Sequence, residues 1–242
     1  KKLIVIQNLI VYITFFTEFL PLIFCILFYK KLNTKALKVF FIYAIVLSVS
    51  VFLGILALYV FHSKPYYFII VKLYNASEYC LFAIFLFYLL NNVIVKRVII
   101  FSVIPFLLIS TISAFLSSKS GFSNYPSLIE FLAFIIFIIY FFYEKMNTVV
   151  EYPLYQSISF WVCVGLFIYF TGNFFFFLFI TSSKDKQFIE QMRIIYGIVT
   201  ICKNIVLCIA LLSTERVESQ DDILHIPSDL DLDSFQPKTS LN

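Results

Sequence analysis

Charged residues are scarce in this sequence of 242 residues. Lys, Arg, Asp and Glu together make up 13% of it, whereas hydrophobic residues make up 62%. Soluble globular domains carry about 25% charged and about 45–50% apolar residues. The shortage of charge therefore excludes an ordinary soluble enzyme and a disordered chain. It favours an integral membrane protein.

Cysteine, histidine and glycine are also few. The five cysteines fall inside apolar runs without a CxxC spacing, which predicts buried packing residues, no disulfide framework and no metal site. The two histidines, His62 and His225, cannot form a haem pair or a zinc motif. Only five glycines occur, and none forms a GxxxG pattern. We therefore expect large side chains, rather than close backbone contacts, to fill the interior.

The familiar catalytic motifs are missing. No GxSxG, HExxH, P-loop or GxGxxG pattern is present, and no serine lies beside a plausible base inside an apolar run. We therefore expect a protein without catalytic activity of its own. Because the basic residues are spread over separate loops, the sequence is also not typical of nucleic acid binding.

What the sequence does contain is seven long apolar runs. A helix needs about 20 mostly apolar residues to cross a bilayer, and continuous runs are unlike the alternating strands of a β-barrel. The predicted spanning helices cover residues 3–29, 39–61, 67–90, 98–116, 127–143, 159–180 and 192–213. Pro21 and Pro105 lie inside the first and fourth runs and should kink them. The first run is too long for a cleaved signal peptide, so we expect it to remain a helix.

Lysine and arginine in the loops predict the orientation. The first loop carries Lys30, Lys31, Lys35 and Lys38. Positively charged loops stay in the cytoplasm, and early short loops usually dominate the choice. The sequence therefore predicts an all-α, seven-helix bundle over residues 1–213 in the cell (inner) membrane, with the N-terminus outside and the C-terminus in the cytoplasm.

Residues 214–242 form a predicted acidic tail of different composition. They hold seven acidic and two basic residues, a net charge of −5, which leaves +9 on residues 1–213. A basic membrane portion fits contact with anionic lipid headgroups. The tail is predicted to be disordered, either simply solvated or ordering on a cytosolic signalling partner. The candidate docking residues are Asp221, Asp222, Ile223, Leu224, Asp231 and Phe235.

Four ionisable residues lie deep inside the apolar runs, where charge is costly and commonly functional. Glu18, Glu78 and Glu130 lie in the first, third and fifth runs, each followed by an aromatic residue. The intervals of 60 and 52 residues between them indicate a weak two-helix repeat over the first six helices. Lys203 lies at a similar depth in the seventh run.

Three glutamates and one lysine cannot all carry charge in one low-dielectric layer without a large cost. We expect one or two glutamates to be protonated and Lys203 to pair with Glu78. The supporting polar residues are Asn75, Thr171, Asn173 and Asn204. This layer is either a polar clamp that fixes the fold or a ligand or proton site.

A lysine in the seventh helix invites comparison with retinal proteins. The third run reads YNASEY at positions 74–79 and lacks the Arg, Asp, Trp and Thr of the retinal pumps. We therefore expect no retinal Schiff base on Lys203, and no other cofactor.

Three stretches of the second half carry a family resemblance. They are Leu128-Ile129-Glu130-Phe131 with the aromatic run 140–143, the stretch from Phe160-Trp161-Val162 to Phe179, and residues 204–210. They resemble small seven-helix membrane proteins of Bacteroidota that have no established activity. The resemblance covers roughly the third to seventh helices and implies the fold and a bacterial membrane location. That family in turn resembles the membrane sensor portions of bacterial histidine kinases, although we expect no kinase domain in the sequence given.

These features predict a membrane sensor or adaptor that signals to a cytosolic protein through its tail. The runner-up is a small transporter or proton-coupled carrier that uses the Glu and Lys layer, although no clearly broken helix supports it. The third alternative is a structural subunit of a larger membrane complex, whose apolar faces a partner subunit would cover.

Overall fold

The computed structural model describes residues 2–120, 125–147, 154–182 and 185–213, and the regular structure in these ranges is helical throughout. Seven segments of this part are long and apolar enough to cross a membrane, as the sequence predicts. The α-helices are α1 (Lys2–Thr17), α2 (Leu20–Leu27), α3 (Lys35–Ile55), α4 (Lys64–Leu89), α5 (Val93–Ser120), α6 (Tyr125–Asn147), α7 (Ile158–Ser182) and α8 (Lys186–Leu212).

The outer surface of the bundle is apolar. Phe16, Ile94 and Phe101 are among many large apolar side chains that are exposed on it. The buried side chains, in contrast, include Glu78 and Lys203. In a soluble protein, large apolar side chains are mostly buried and charged side chains mostly lie on the surface. The surface fits lipid tails, and the polar interior fits a membrane bundle.

Several helices begin earlier than their apolar runs. Thr34 precedes α3, and its hydroxyl accepts a hydrogen bond from the Leu37 N–H at 3.2 Å. Asp185 caps α8 in the same way, accepting from the Gln187 N–H at 2.9 Å. Such caps satisfy N–H groups that have no partner within the helix. Hydropathy misses these first turns because they are polar.

The first spanning segment is broken in its middle. The Glu18 N–H still donates to the Thr14 carbonyl at 3.1 Å, but the Phe19 N–H donates to the Phe16 carbonyl at 3.3 Å, so the regular α-helix is interrupted at Glu18 and Phe19. Pro21 causes the break because it has no N–H to donate to the Thr17 carbonyl, and it lies in the first turn of the new helix. Pro105, by contrast, lies inside the continuous α5. The expected kink at Pro21 is therefore a short interruption of the helix at the half-buried Glu18.

The helices pack in a closed ring in chain order. From α2 onward, each helix packs against the next, and α8 closes the ring against α1 and α2. Helix α4 also packs against α6 across the interior. Because short connections make successive spans alternate in direction, the N-terminal halves of α4, α6 and α8 lie at the same end as α1.

Two expectations about packing are wrong. Glycines do mediate close helix contacts: a Cβ atom at Gly172 would lie 2.7 Å from Val199, and one at Gly197 would lie 2.5 Å from Ile10. These contacts bring α8 close to α7 and α1. Each of the two contacts involves a single glycine, so no GxxxG pattern indicates the contact in the sequence. The cysteines are free, and Cys202 is exposed rather than buried.

One half of the bundle is filled with aromatic side chains. We call it the packed half; it is centred on Phe82, Phe134 and Phe170, which are fully buried. The Phe134 ring stacks on Phe170 at 4.9 Å between centroids, and Phe82 meets both of these rings edge-on. Tyr79 and Phe106 extend the cluster with a stacked pair at 3.9 Å.

Candidate ligand cavity

A cavity of about 420 Å³ occupies the other half of the bundle, which we call the cavity half. Its wall comes from α1, α3, α4, α6, α7 and α8. A volume of this size lies within the range of small-molecule sites, about 300–1,000 Å³. The polar lining residues include Glu18, Asn75, Glu78, Glu130 and Arg193.

The cavity brings together the three glutamates of the sequence-predicted layer. Glu18 reaches it from the break between α1 and α2, Glu78 from α4 and Glu130 from α6. Glu78 and Glu130 are 2% and 1% exposed, and Glu18 is half-buried. One oxygen of Glu130, Oε1, is buried without a hydrogen-bond partner within the described part of the chain. The three glutamates of the layer thus line one cavity.

Glu78 is held by two tyrosines. The Tyr74 hydroxyl donates to Glu78 Oε1 at 2.8 Å from one turn earlier in α4. The Tyr43 hydroxyl, from α3, lies 3.5 Å from the same oxygen and donates to it. Hydrogen bonds to a charged acceptor are worth about 1.5–3 kcal/mol, and they remove the cost of an unpaired buried oxygen.

Lys203 does not form the expected direct ion pair with Glu78. Within the described part of the chain, the ion pair with an N–O distance within 4.0 Å is that of Arg193 and Glu190, at 3.4 Å, and it does not involve Lys203. Lys203 Nζ instead donates to the Tyr43 hydroxyl at 3.2 Å. The chain Lys203–Tyr43–Glu78 therefore links α8 to the cavity wall through α3.

The remaining surroundings of Lys203 are aromatic. Its side chain is 1% exposed, and its ammonium lies 4.4 Å from the centroid of the Tyr169 ring. Contact with a ring face stabilises a buried cation by about 2 kcal/mol or more. Lys203 is outside the cavity lining, whereas Tyr169 belongs to it. A ligand in the cavity would thus share the Tyr169 ring with the lysine.

The supporting polar residues predicted from sequence are only partly at the cavity. Asn75 lines it. Asn204, next to Lys203, donates to the Thr17 hydroxyl at 3.3 Å, just before the break in the first span. Thr171 and Asn173, on α7, are outside the lining, and their side-chain polar atoms have no hydrogen-bond partner in the described ranges.

Sequence reasoning missed the tyrosines of the site. Tyr43 and Tyr74 donate hydrogen bonds to Glu78, and the Tyr169 ring contacts the Lys203 ammonium. Their signal is position: tyrosine usually lies at the end of a spanning helix, where its hydroxyl reaches water. A tyrosine in mid-span needs a polar partner inside the bundle. Tyr67, in the first turn of α4, likewise lines the cavity.

The C-terminal end of α8 is attached to the first loop. Lys31 Nζ donates to the carbonyls of Leu211 at 3.1 Å and Ser213 at 3.0 Å. A lysine at a helix C-terminus satisfies carbonyls that lack partners and complements the helix dipole. The predicted docking residues of the tail, Asp221, Asp222, Ile223, Leu224, Asp231 and Phe235, lie outside the described residues.

The fold and the cavity together define an all-helical protein of the multi-pass membrane class, with an acidic internal cavity. Comparison with protein-family models, with curated proteins and with solved structures gives no match. The Bacteroidota resemblance therefore stays a prediction.

Proposed function

We propose that the protein is a membrane sensor that binds a ligand in its cavity and signals to a cytosolic protein through residues 214–242. The observation that carries this proposal is the Glu78–Tyr43–Lys203 chain. It connects a carboxylate of the cavity wall to α8, the helix that leads to the tail. A ligand that changes the bonding of Glu78 has a direct route to α8.

The course of α8 supports the same proposal. Its N-terminal half lines the cavity with Arg193, Tyr196 and Gly197, and it continues without interruption to Leu212. Lys31 holds its last carbonyls. A helix that is continuous from the ligand site to the tail transmits a shift or rotation as a rigid body.

The proposed location is the cell membrane of a bacterium, with the cavity half toward the outside. The four lysines of the first loop favour this orientation. The packed half then lies between the cavity and the cytoplasm. In this arrangement the ligand comes from outside the cell, and the tail meets its partner inside.

The test is crosslinking of the tail to its partner in native membranes, with the intact chain and a version truncated after Ser213. We expect the intact chain to recover a cytosolic regulator and the truncated one to lose it. Tyr43→Phe should change the recovery, whereas the matched variant Tyr74→Phe should not. Both variants lose a hydroxyl bonded to Glu78, but of these two tyrosines only Tyr43 bonds Lys203. Equal recovery with and without the tail would contradict a sensor.

A second candidate function, a small carrier, is favoured by the break in the first spanning segment. Interrupted helices commonly form the ion and substrate sites of transporters, and this interruption places Glu18 at the cavity. The continuous α8 and the closed packed half favour the sensor, because a carrier must also open toward the other side.

Proton flux into proteoliposomes, followed with an internal pH dye, distinguishes the two candidates. A proton-coupled carrier should transport equally well when truncated after Ser213, and Glu78→Gln should abolish the flux. A sensor should show the same flux as protein-free liposomes in all three forms. Flux that needs both the tail and Glu78 would support neither assignment.

A further inference from the structure

We infer that the cavity binds a small organic cation with a primary ammonium group. This inference rests on the proposed role of the cavity as a ligand site, and it adds the chemical class of the ligand. It follows from the charge of the wall, from one unpartnered oxygen and from the aromatic lining.

The charges of the cavity wall are unbalanced. Glu18, Glu78 and Glu130 line it, but in the described part of the chain the only lining cation is Arg193. That guanidinium belongs to a side chain that is 58% exposed, and it lies 3.4 Å from Glu190. Lys203 lies behind the wall, bonded to Tyr43. Without a ligand, one or two of these glutamates are expected to be protonated, because three carboxylates in a low-dielectric site repel one another. A positively charged ligand offsets that repulsion and lets the carboxylates ionise, so the wall favours a cation over a neutral or anionic ligand.

Glu130 gives the most specific indication of a hydrogen-bond donor in the ligand. Its carboxyl group is almost completely buried at the cavity, and Oε1 has no hydrogen-bond partner in the described part of the chain. Leaving such an oxygen unpaired is costly, so a donor that enters the cavity gains more here than at an exposed carboxylate. An ammonium group offers three N–H donors, enough for Glu130 and a second carboxylate.

The lining favours an organic cation over a metal ion. No three acidic, histidine or cysteine side chains in the described residues converge to hold a metal. The wall instead presents aromatic rings, among them Phe15, Tyr67, Phe131 and Tyr169. Ring faces attract organic ammonium groups, and Tyr169 already receives the Lys203 ammonium at 4.4 Å. A cavity of about 420 Å³ also has room for a hydrocarbon chain.

The test measures the thermal unfolding of the full chain in lipid nanodiscs with butylammonium, butane-1,4-diammonium, sodium and butyrate. We expect the two organic ammonium ions to raise the unfolding temperature in a saturable way, and sodium and butyrate at equal concentration to leave it unchanged. Glu130→Gln should weaken ammonium binding about 10- to 100-fold, the loss of one charged hydrogen bond. Glu144→Gln is the matched control, because Glu144 bonds the Asn91 and Asn92 N–H groups far from the cavity.

Glu18→Gln serves as the second variant if Glu130→Gln does not fold, since Glu18 is only half-buried. The inference is overturned if neither ammonium ion stabilises the protein, if sodium or butyrate stabilises it equally, or if the folded cavity variants bind as tightly as the natural chain. Because binding is measured on the purified protein, it is independent of the tail. Ammonium binding without tail-dependent crosslinking would remove the sensor role alone, and the reverse result would remove the ligand class alone.

Discussion

The packed half and the cavity half of the bundle differ in how the space between their helices is filled. Both are surrounded by apolar outer faces, and both have to fill the space between the helices. The packed half fills it with interlocking rings such as Phe82, Phe134 and Phe170. The cavity half leaves about 420 Å³ between the helices and places three carboxylates around it. We therefore expect the packed half to supply most of the stability and the cavity half to hold the proposed ligand.

The difference follows from the side chains at matching positions of α4 and α6. Beyond Glu78 and Glu130, toward their C-terminal ends, both helices bury large aromatic residues. Before these glutamates, the lining also includes smaller or polar residues, for example Val71, Asn75 and Ser127. Each glutamate thus lies at the boundary between dry packing and open space. A carboxylate there can face a ligand while its helix is anchored by the rings below it.

The largest effect is expected from Phe134→Ala in the packed half. Phe134 is fully buried and contacts Tyr79, Phe82 and Phe170. Removing its ring leaves a void and should lower the free energy of unfolding by about 3–5 kcal/mol. The measurement is reversible unfolding in mixed micelles. Phe101→Ala, on the exposed face of α5, is the control and should change it by about 0.5 kcal/mol or less. Equal losses would mean that the packed half is not the stabilising one.

Lys203→Met tests the junction between the halves and should cost about 3 kcal/mol, because it leaves the buried carboxylates without their nearest cation. Glu78→Gln in the same chain should restore part of this loss, since it removes a charge that the lysine balances. The double-mutant cycle in mixed micelles gives the coupling energy directly. Additive losses would show that Lys203 and Glu78 do not interact through Tyr43.

A third experiment adds volume instead of removing it. Ala83→Phe introduces a ring where the packed half has no space, and overpacking of this kind costs about 1–3 kcal/mol. Val71→Phe introduces the same ring into the cavity. We expect the second variant to unfold like the natural chain but to lose its stabilisation by butylammonium. If both variants are equally destabilised, the cavity is not open space in the membrane-embedded protein.

Much of the fold could be predicted from the sequence because it depends on one strong signal. Long apolar runs predicted the seven spans. The rarity of ionisable residues within those runs singled out Glu18, Glu78 and Glu130 as candidate site residues, and all three line the cavity. These predictions need no knowledge of which helices are neighbours. The break at Glu18 was underestimated, since Pro21 can either kink a helix or end it, and the choice depends on the surrounding packing.

The rest of the site depends on helix order, which hydropathy does not contain. Tyr43 and Lys203 are 160 positions apart and meet because α8 closes the ring against α1 and α2, and α2 packs against α3. Without that order, Lys203 could only be assigned to Glu78 by its depth. A hydroxyl bridge between them has no pattern in the sequence beyond a tyrosine in mid-span. The predicted pairing of Lys203 with Glu78 was therefore wrong as a direct ion pair, because the two side chains are linked through the Tyr43 hydroxyl.

Glycine substitutions give the smallest and most local comparison. A methyl group at Gly172 would lie 2.7 Å from Val199 and should force α7 and α8 apart, whereas one at Gly54 would meet Tyr67 at 3.6 Å, an ordinary contact beside the cavity. Gly172→Ala should therefore lower the free energy of unfolding by about 1–2 kcal/mol. Gly54→Ala should leave it unchanged or raise it slightly, because alanine is the better helix former. The same micelle unfolding measures both, and a tolerant Gly172 would mean that Val199 can move aside and that the α7–α8 contact is not limited by glycine.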